Sequence, residues 1–229
     1  MKIGTTRVET FSDGVIGIII TIMVLTLKLP TFDHHDTGEG VRQNLRELIP
    51  YFITYAFSFL MIGIFWINHH HMFHLLENTD EPLLLQNLLF LFWISLIPFA
   101  TAMVAANPRI ADSAAAYGAV MLMTTTSFSL MRSYTLRKNL VHKDRNNKIS
   151  RSIRSVSLRA RTKSYLGALA YLCAIPLAYL NVFIAYAVFV IPPVLFFIPD
   201  GIDDEKLAEK IEKKNSPGPK ENVPGKKSN

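Results

Sequence analysis

The sequence predicts an all-α membrane protein with six transmembrane helices, and three observations carry that prediction. Half of the 229 residues are hydrophobic, and they gather in runs long enough to cross a hydrocarbon core of about 30 Å instead of forming periodic stripes. The densest block of positive charge, residues 137–163, lies between two such runs and holds ten Lys/Arg against one acid. The single cysteine, Cys173, sits within an apolar run. It excludes an intrachain disulfide framework and reads as a small hydrophobe.

The spans are expected at residues 11–29, 50–72, 83–105, 113–134, 164–179 and 182–198, within a transmembrane domain of residues 1–200. The first run is too long for the core of a signal peptide and lacks a small-x-small cleavage site, so it is expected to remain in the protein. The second and third runs are continuous and need no further argument. The fourth, "SAAAYGAVMLMTTTSFSLMRSY", is rich in small and hydroxyl residues, which suit close helix–helix contact. The fifth and sixth are short and interrupted by Pro176, Pro192 and Pro193, which a bundle tolerates where neighbours satisfy the freed carbonyls. Residues 201–229 are charged, then rich in Pro, Gly, Lys and Asn. They are expected to form a short helix followed by a largely disordered tail.

Orientation follows from charge. The positive-inside rule places the 137–163 segment in the cytoplasm, expected as a solvated loop, and six spans then put both termini there too. Anionic lipid headgroups are a natural partner for this segment. Nucleic acid is excluded as a partner despite the formal charge of +6, because no aromatic platform or recognition module accompanies the basic residues.

The first span poses a question, because Asp13 stands at the foot of an apolar helix, where an unpaired charge costs about 2.5–3.5 kcal/mol on insertion scales. At about 100° per residue, Ile18, Ile22, Leu25 and Leu29 share one face with Thr21 at its edge. Asp13, Gly17, Ile20 and Val24 lie on another, about 140° from Ile18. Gly17 beside Asp13 predicts close approach of a neighbouring helix. An apolar stripe by itself reads equally well as a packing or lipid-facing surface.

Ordered landmarks add to this reading. "R-x-x-x-F-S-D" places Arg7, Phe11, Ser12 and Asp13 at the start of span one. "WINH" places Trp66 and His69 at the end of span two. "NTDEPLLLQNL" brings Thr79, Asp80 and Asn87 into span three, and "IPF" adds Pro98 and Phe99. In these landmarks the chain resembles the transmembrane protein 175 family of endolysosomal and prokaryotic potassium channels, over about residues 5–200. The resemblance implies a pore lined by the first helix of each subunit, a fold distinct from the tetrameric P-loop channels, and four chains around one axis, since only one six-helix repeat is present. It implies a constriction at Ile18, a hydroxyl at Thr21, and further pore-lining apolar positions at Ile22 and Leu25. It also implies a polar network of Arg7, Phe11, Ser12, Asp13, Trp66, His69 and Asn87 that holds the pore helix. Gly17 departs from the Ala or Ser usual at that position.

No T-V-G-Y-G segment is present, so no carbonyl cage of that type is expected. Selection would rest on partial dehydration of potassium at an apolar ring, in a multi-pass protein of the cell membrane that needs no cofactor. The cluster "FWINHHHMFH" holds four of the seven histidines, and His70 and His74 have an i, i+4 spacing that can share a metal. Histidine-box oxygenases use more histidines over several boxes. His70, His71 and His74 therefore read as interfacial residues, with no resident metal and no enzyme activity. A secondary transporter is the rival transport reading, without an internal repeat to support it. A non-conducting scaffold is the other rival.

Overall fold

The computed structural model describes residues 4–27, 38–138, 140 and 147–197. Every regular element among them is helical: α1 (Thr5–Ile22), a 3-10 turn (Met23–Thr26), α2 (Gly38–His74), α3 (Glu81–Ser95), α4 (Ile97–Ala106), α5 (Ala111–Arg137), α6 (Asn147–Leu180), α7 (Val182–Phe189) and α8 (Ile191–Phe197). Five stretches are long and apolar enough to cross a membrane: Thr5–Thr26, Leu45–His74, Glu81–Ala106, Ala111–Arg137 and Arg161–Leu180.

The differences from the expected spans have local causes. Span one starts earlier and stops earlier than residues 11–29. Its last turn tightens to 3-10, and Leu27 is already extended at φ −76°, ψ 116°; Leu29 lies outside the described residues. Span three is two helices, α3 and α4, because Pro98 at the start of α4 has no N–H to continue the ladder. The sixth run is broken at Val190 ahead of Pro192 and Pro193. Its apolar length, Val182–Phe196, reaches about 22 Å at 1.5 Å per residue, short of a full crossing; Ile198 and the 201–229 tail lie outside the described residues. The basic segment is not a loop throughout. From Asn147 it is the first half of α6, since Arg, Lys, Leu and Ala are good helix formers and neither Gly nor Pro interrupts them.

α5 is the central helix, packed by α3, α4, α6 and α7. Its small residues let neighbours come close. A Cβ added at Gly118 would stand 3.2 Å from Ile175 Cγ1 and 3.3 Å from the Phe189 ring. The apolar core is dominated by rings. Phe65, Phe90 and Phe128 meet with centroids 6.0, 6.5 and 5.3 Å apart. Buried hydroxyls pair among themselves: Thr101 Oγ1 donates to Ser58 Oγ at 2.8 Å, and Ser58 is 3.1 Å from the Tyr117 hydroxyl.

The two ends of the bundle are pinned differently. At one end Asp80 caps α3, accepting from the Leu83 amide at 3.1 Å through Oδ1 and from the Tyr134 hydroxyl at 2.6 Å through Oδ2. The Glu77 amide donates to the Leu140 carbonyl at 3.0 Å. These bonds bring the α2–α3 turn to the C-terminus of α5. At the other end the Tyr179 hydroxyl donates to Asp112 at 2.9 Å, and that of Tyr186 to the Pro108 carbonyl at 2.7 Å. The start of α1 shares the first end, so α1 runs antiparallel to α2 and beside α3.

Candidate pore helix and its polar anchor

α1 divides by azimuth. Val8, Ser12, Ile16, Ile19 and, just beyond, Met23 are buried, and they fill an arc about 80–160° from Ile18. This face packs on α2 and α3. Phe11, Ile18, Ile22 and Leu25 face away from the rest of the chain, 55%, 59%, 48% and 77% exposed. Thr21 is also exposed, its hydroxyl donating to the Ile18 carbonyl at 2.8 Å, which hides the donor and leaves oxygen lone pairs available. Ile20 packs against the core. The 3-10 turn steps about 120° and 2.0 Å per residue, so Leu25 stays above Ile22. It stands about 12 Å along the axis from Ile18, where an unbroken α-helix would give about 10 Å.

The buried edge of α1 carries a directed chain of hydrogen bonds. Asn87 Oδ1 accepts from His69 Nε2 at 2.9 Å. Asn87 Nδ2 donates to Ser12 Oγ at 2.8 Å, and Ser12 Oγ donates to the Val8 carbonyl at 2.8 Å. This order fixes the Asn87 amide and the His69 tautomer together, since each donor meets an acceptor. His69 is fully buried, stacked between Phe73 at 4.4 Å and Phe90 at 5.6 Å. α1, α2 and α3 are thereby joined at one point.

Asp13 lies beside this chain of bonds and is held separately. Its Oδ1 accepts from Trp66 Nε1 at 3.0 Å, while His69 and Asn87 serve Ser12. Arg7 is exposed, and no ion pair joins it to Asp13 among the described residues. Six residues turn a helix through about 600°, which leaves the two side chains about 120° apart. Phe11 likewise lies on the open face, outside the polar network. Gly17 admits no neighbour within the chain: a Cβ there would meet nothing within 4 Å. Ser12, Asn87 and His69 share one chain of hydrogen bonds, and Trp66 bonds Asp13 beside it. Pro98 shapes the α3–α4 break, and Thr79 is buried in the α2–α3 turn.

Two features escape a reading of the sequence. Arg132 on α5 is buried, donates to Asn68 Oδ1 at 3.3 Å and lies 4.8 Å over the Phe128 ring; a charge inside an apolar run was the available signal. Glu9, one turn before Asp13, faces His70 and His74 on α2. It falls at a variable position of the landmark and carries no signal of its own.

Residues 7–98, which hold α1, the anchor and α3, match the family model described as endosomal/lysosomal potassium channel TMEM175. A protein of Chryseobacterium sp. (strain P1-3) named as a potassium channel is 32% identical over 204 residues, covering 89% of this chain and 97% of that one. The chain belongs to the TMEM175 family. Another relative, from Streptomyces collinus (strain DSM 40733 / Tue 365) and also named as a potassium channel, is 33% identical over 180 residues, 76% of this chain and 82% of that one. The crystal structure of the TMEM175 homologue from Chamaesiphon minutus, described as a lysosomal potassium-selective channel homologue, superposes with a TM-score of 0.70 at 26% identity. That match covers 86% of this chain and 98% of the other. The architecture is therefore the TMEM175 one, a multi-pass helical membrane protein without a P-loop.

Proposed function

We propose that this chain is a potassium-selective cation channel, not an enzyme, that conducts passively through a pore lined by α1. The observation that carries the reading is the division of α1. Its polar anchor faces inward to α2 and α3, while Phe11, Ile18, Ile22 and Leu25 stand open on the opposite side. One copy encloses no passage with that face; four copies around an axis do. Ile18 then forms the narrowest ring, Thr21 offers hydroxyl oxygens about one turn on, and Ile22 and Leu25 continue the apolar wall. An isoleucine ring has no ligand for a cation, so an ion must shed part of its water to pass, and the ring closes by dewetting when narrow. Potassium, more weakly hydrated than sodium, crosses at lower cost. The rival transporter would be built from paired internal repeats, and the sequence shows a single R-x-x-x-F-S-D landmark without a second copy.

The protein resides in the cell membrane with its N-terminus and the basic 137–163 segment in the cytoplasm. The end of the bundle that holds the start of α1, the α2–α3 turn and the α5 terminus is then the inner one. Ten Lys/Arg in that segment meet anionic headgroups there.

Reversal potentials across a potassium/sodium gradient, measured on purified protein in lipid, test the reading. Ile18→Ala widens the ring, so current rises and the reversal potential moves toward zero. Ile20→Ala removes a core contact on the far side and leaves the reversal potential where it was. The opposite pattern, unchanged for Ile18→Ala and shifted for Ile20→Ala, assigns the pore to the other face. Absence of unitary current steps in the unsubstituted protein rejects the channel.

A further inference from the structure

The seam between α1 and α2 carries a second cluster beside the anchor. Glu9 precedes Asp13 by one turn, and His70 and His74 follow Trp66 by one and two turns. Glu9 Oε1 lies 3.1 Å from His70 Nδ1 and 3.6 Å from His74 Nε2, and one ligand atom from each residue lies within 4.8 Å of the other two. The two imidazoles meet nearly at right angles, centroids 4.3 Å apart, and His70 also stacks on Trp66 at 5.9 Å. Glu9 Oε1 and His70 Nδ1 are both buried as atoms, and among the described residues neither finds a hydrogen-bond partner in spite of their closeness. Two buried ligand-capable atoms 3.1 Å apart without a hydrogen bond leave a polar demand that a cation between them satisfies.

We infer that Glu9, His70 and His74 form a binding site for a first-row divalent transition metal, zinc foremost, which ties α1 to α2. The donor set selects the class. Two imidazoles and one carboxylate suit zinc and its neighbours, whereas calcium and magnesium take oxygen ligands. A tetrahedral ion with bonds of about 2.0–2.1 Å sets its donors about 3.4 Å apart, and the two separations from Glu9 bracket that value. The i, i+4 spacing turns both imidazoles to one face of α2. The His70 and His74 side chains are 37% and 55% exposed, so a water completes the coordination from outside. The metal adds a rigid link one turn from the Asp13–Trp66 bond, on the helix that carries Ile18. Its effect on conduction rests on the channel reading above: with α1 tied, the pore opens less.

The site is tested on the purified full-length protein in detergent, stripped with a chelator and titrated with Co2+. The expected result is one saturable Co2+ per chain with the visible absorption of a four-coordinate ion, displaced by Zn2+. His74→Ala, at the half-exposed position, and His70→Ala each weaken binding by at least about tenfold, whereas His71→Ala, outside the three-residue cluster, leaves it unchanged. Zn2+ lowers the current of the unsubstituted channel and spares that of His74→Ala. A protein that binds no Co2+ overturns the proposal, as does binding that survives loss of both His70 and His74. Since the titration needs no current, a protein that fails to conduct counts against the channel reading alone.

Discussion

Asn87 is the residue on which the anchor turns, because its amide both accepts from His69 and donates to Ser12. Asn87→Leu keeps the branched outline of the side chain and removes both bonds. Ser12 still donates to the Val8 carbonyl, but the buried Nε2–H of His69 loses its acceptor. A stranded buried donor costs about 1–3 kcal/mol, so a clear fall in thermal stability is expected in detergent. The double variant His69→Leu/Asn87→Leu removes the stranded group and should recover part of the loss; strict additivity of the two single effects would show that no such coupling exists. These residues were legible in the sequence through the landmarks that carry the family resemblance. Their pairing was less so. The partner of Asp13 depends on the azimuths of α1 and α2, which place Trp66 against it. Arg7 and Asp13 stand about 120° apart on α1, a separation the sequence already contained. Glu9 was illegible, since an acid near a helix start has many uses and only the approach of α2 gives it one.

Among the elements, α5 shows how composition becomes packing. Its run of Ala, Gly, Ser and Thr sacrifices hydrophobicity for close approach, and at Gly118 side chains of both α6 and α7 press against it. Gly118→Ala places a methyl 3.2–3.3 Å from Ile175 and Phe189. Helix propensity favours the change by up to about 1 kcal/mol, but overpacking of a tight contact costs about 1–3 kcal/mol, and the ring and the branched side chain have little room to retreat. Net destabilisation is expected, seen as a lower melting temperature, with Gly63→Ala as control because a Cβ there meets nothing within 4 Å. An equal or higher melting temperature for Gly118→Ala would show that the neighbours give way. The α7–α8 break was legible from the Pro192–Pro193 pair; span three reads as one run, although Pro98 carries the signal for its break. The helical state of the basic segment was not legible. A solvated loop and the polar part of a long helix share one composition, and only the absence of Gly and Pro hinted at the latter.

For the whole molecule the deciding quantity is the number of copies. An apolar face turned outward is ordinary on a protein that meets lipid, so exposure of Ile18 and Leu25 distinguishes a pore from a lipid-facing surface only when the neighbours of that face are known. Around a four-fold axis the Ile18 side chains of different copies approach one another, whereas on a lipid-facing surface they are far apart. Ile18→Cys in a Cys173→Ser background isolates this difference, because Cys173 is itself exposed and would otherwise react. A disulfide needs Cβ atoms about 3.5–4.5 Å apart, so mild oxidation should join neighbouring chains rapidly at position 18. Ile20→Cys, on the packed side of α1, should remain unlinked. Native mass measurement in mild detergent should give four times the 25.9 kDa of one chain. A single chain mass, together with no linking of the Ile18→Cys variant, would dismantle the pore, since no passage can be closed by one α1. Rapid linking at position 20 in place of 18 would instead keep the assembly and rotate every copy of α1 about its own axis.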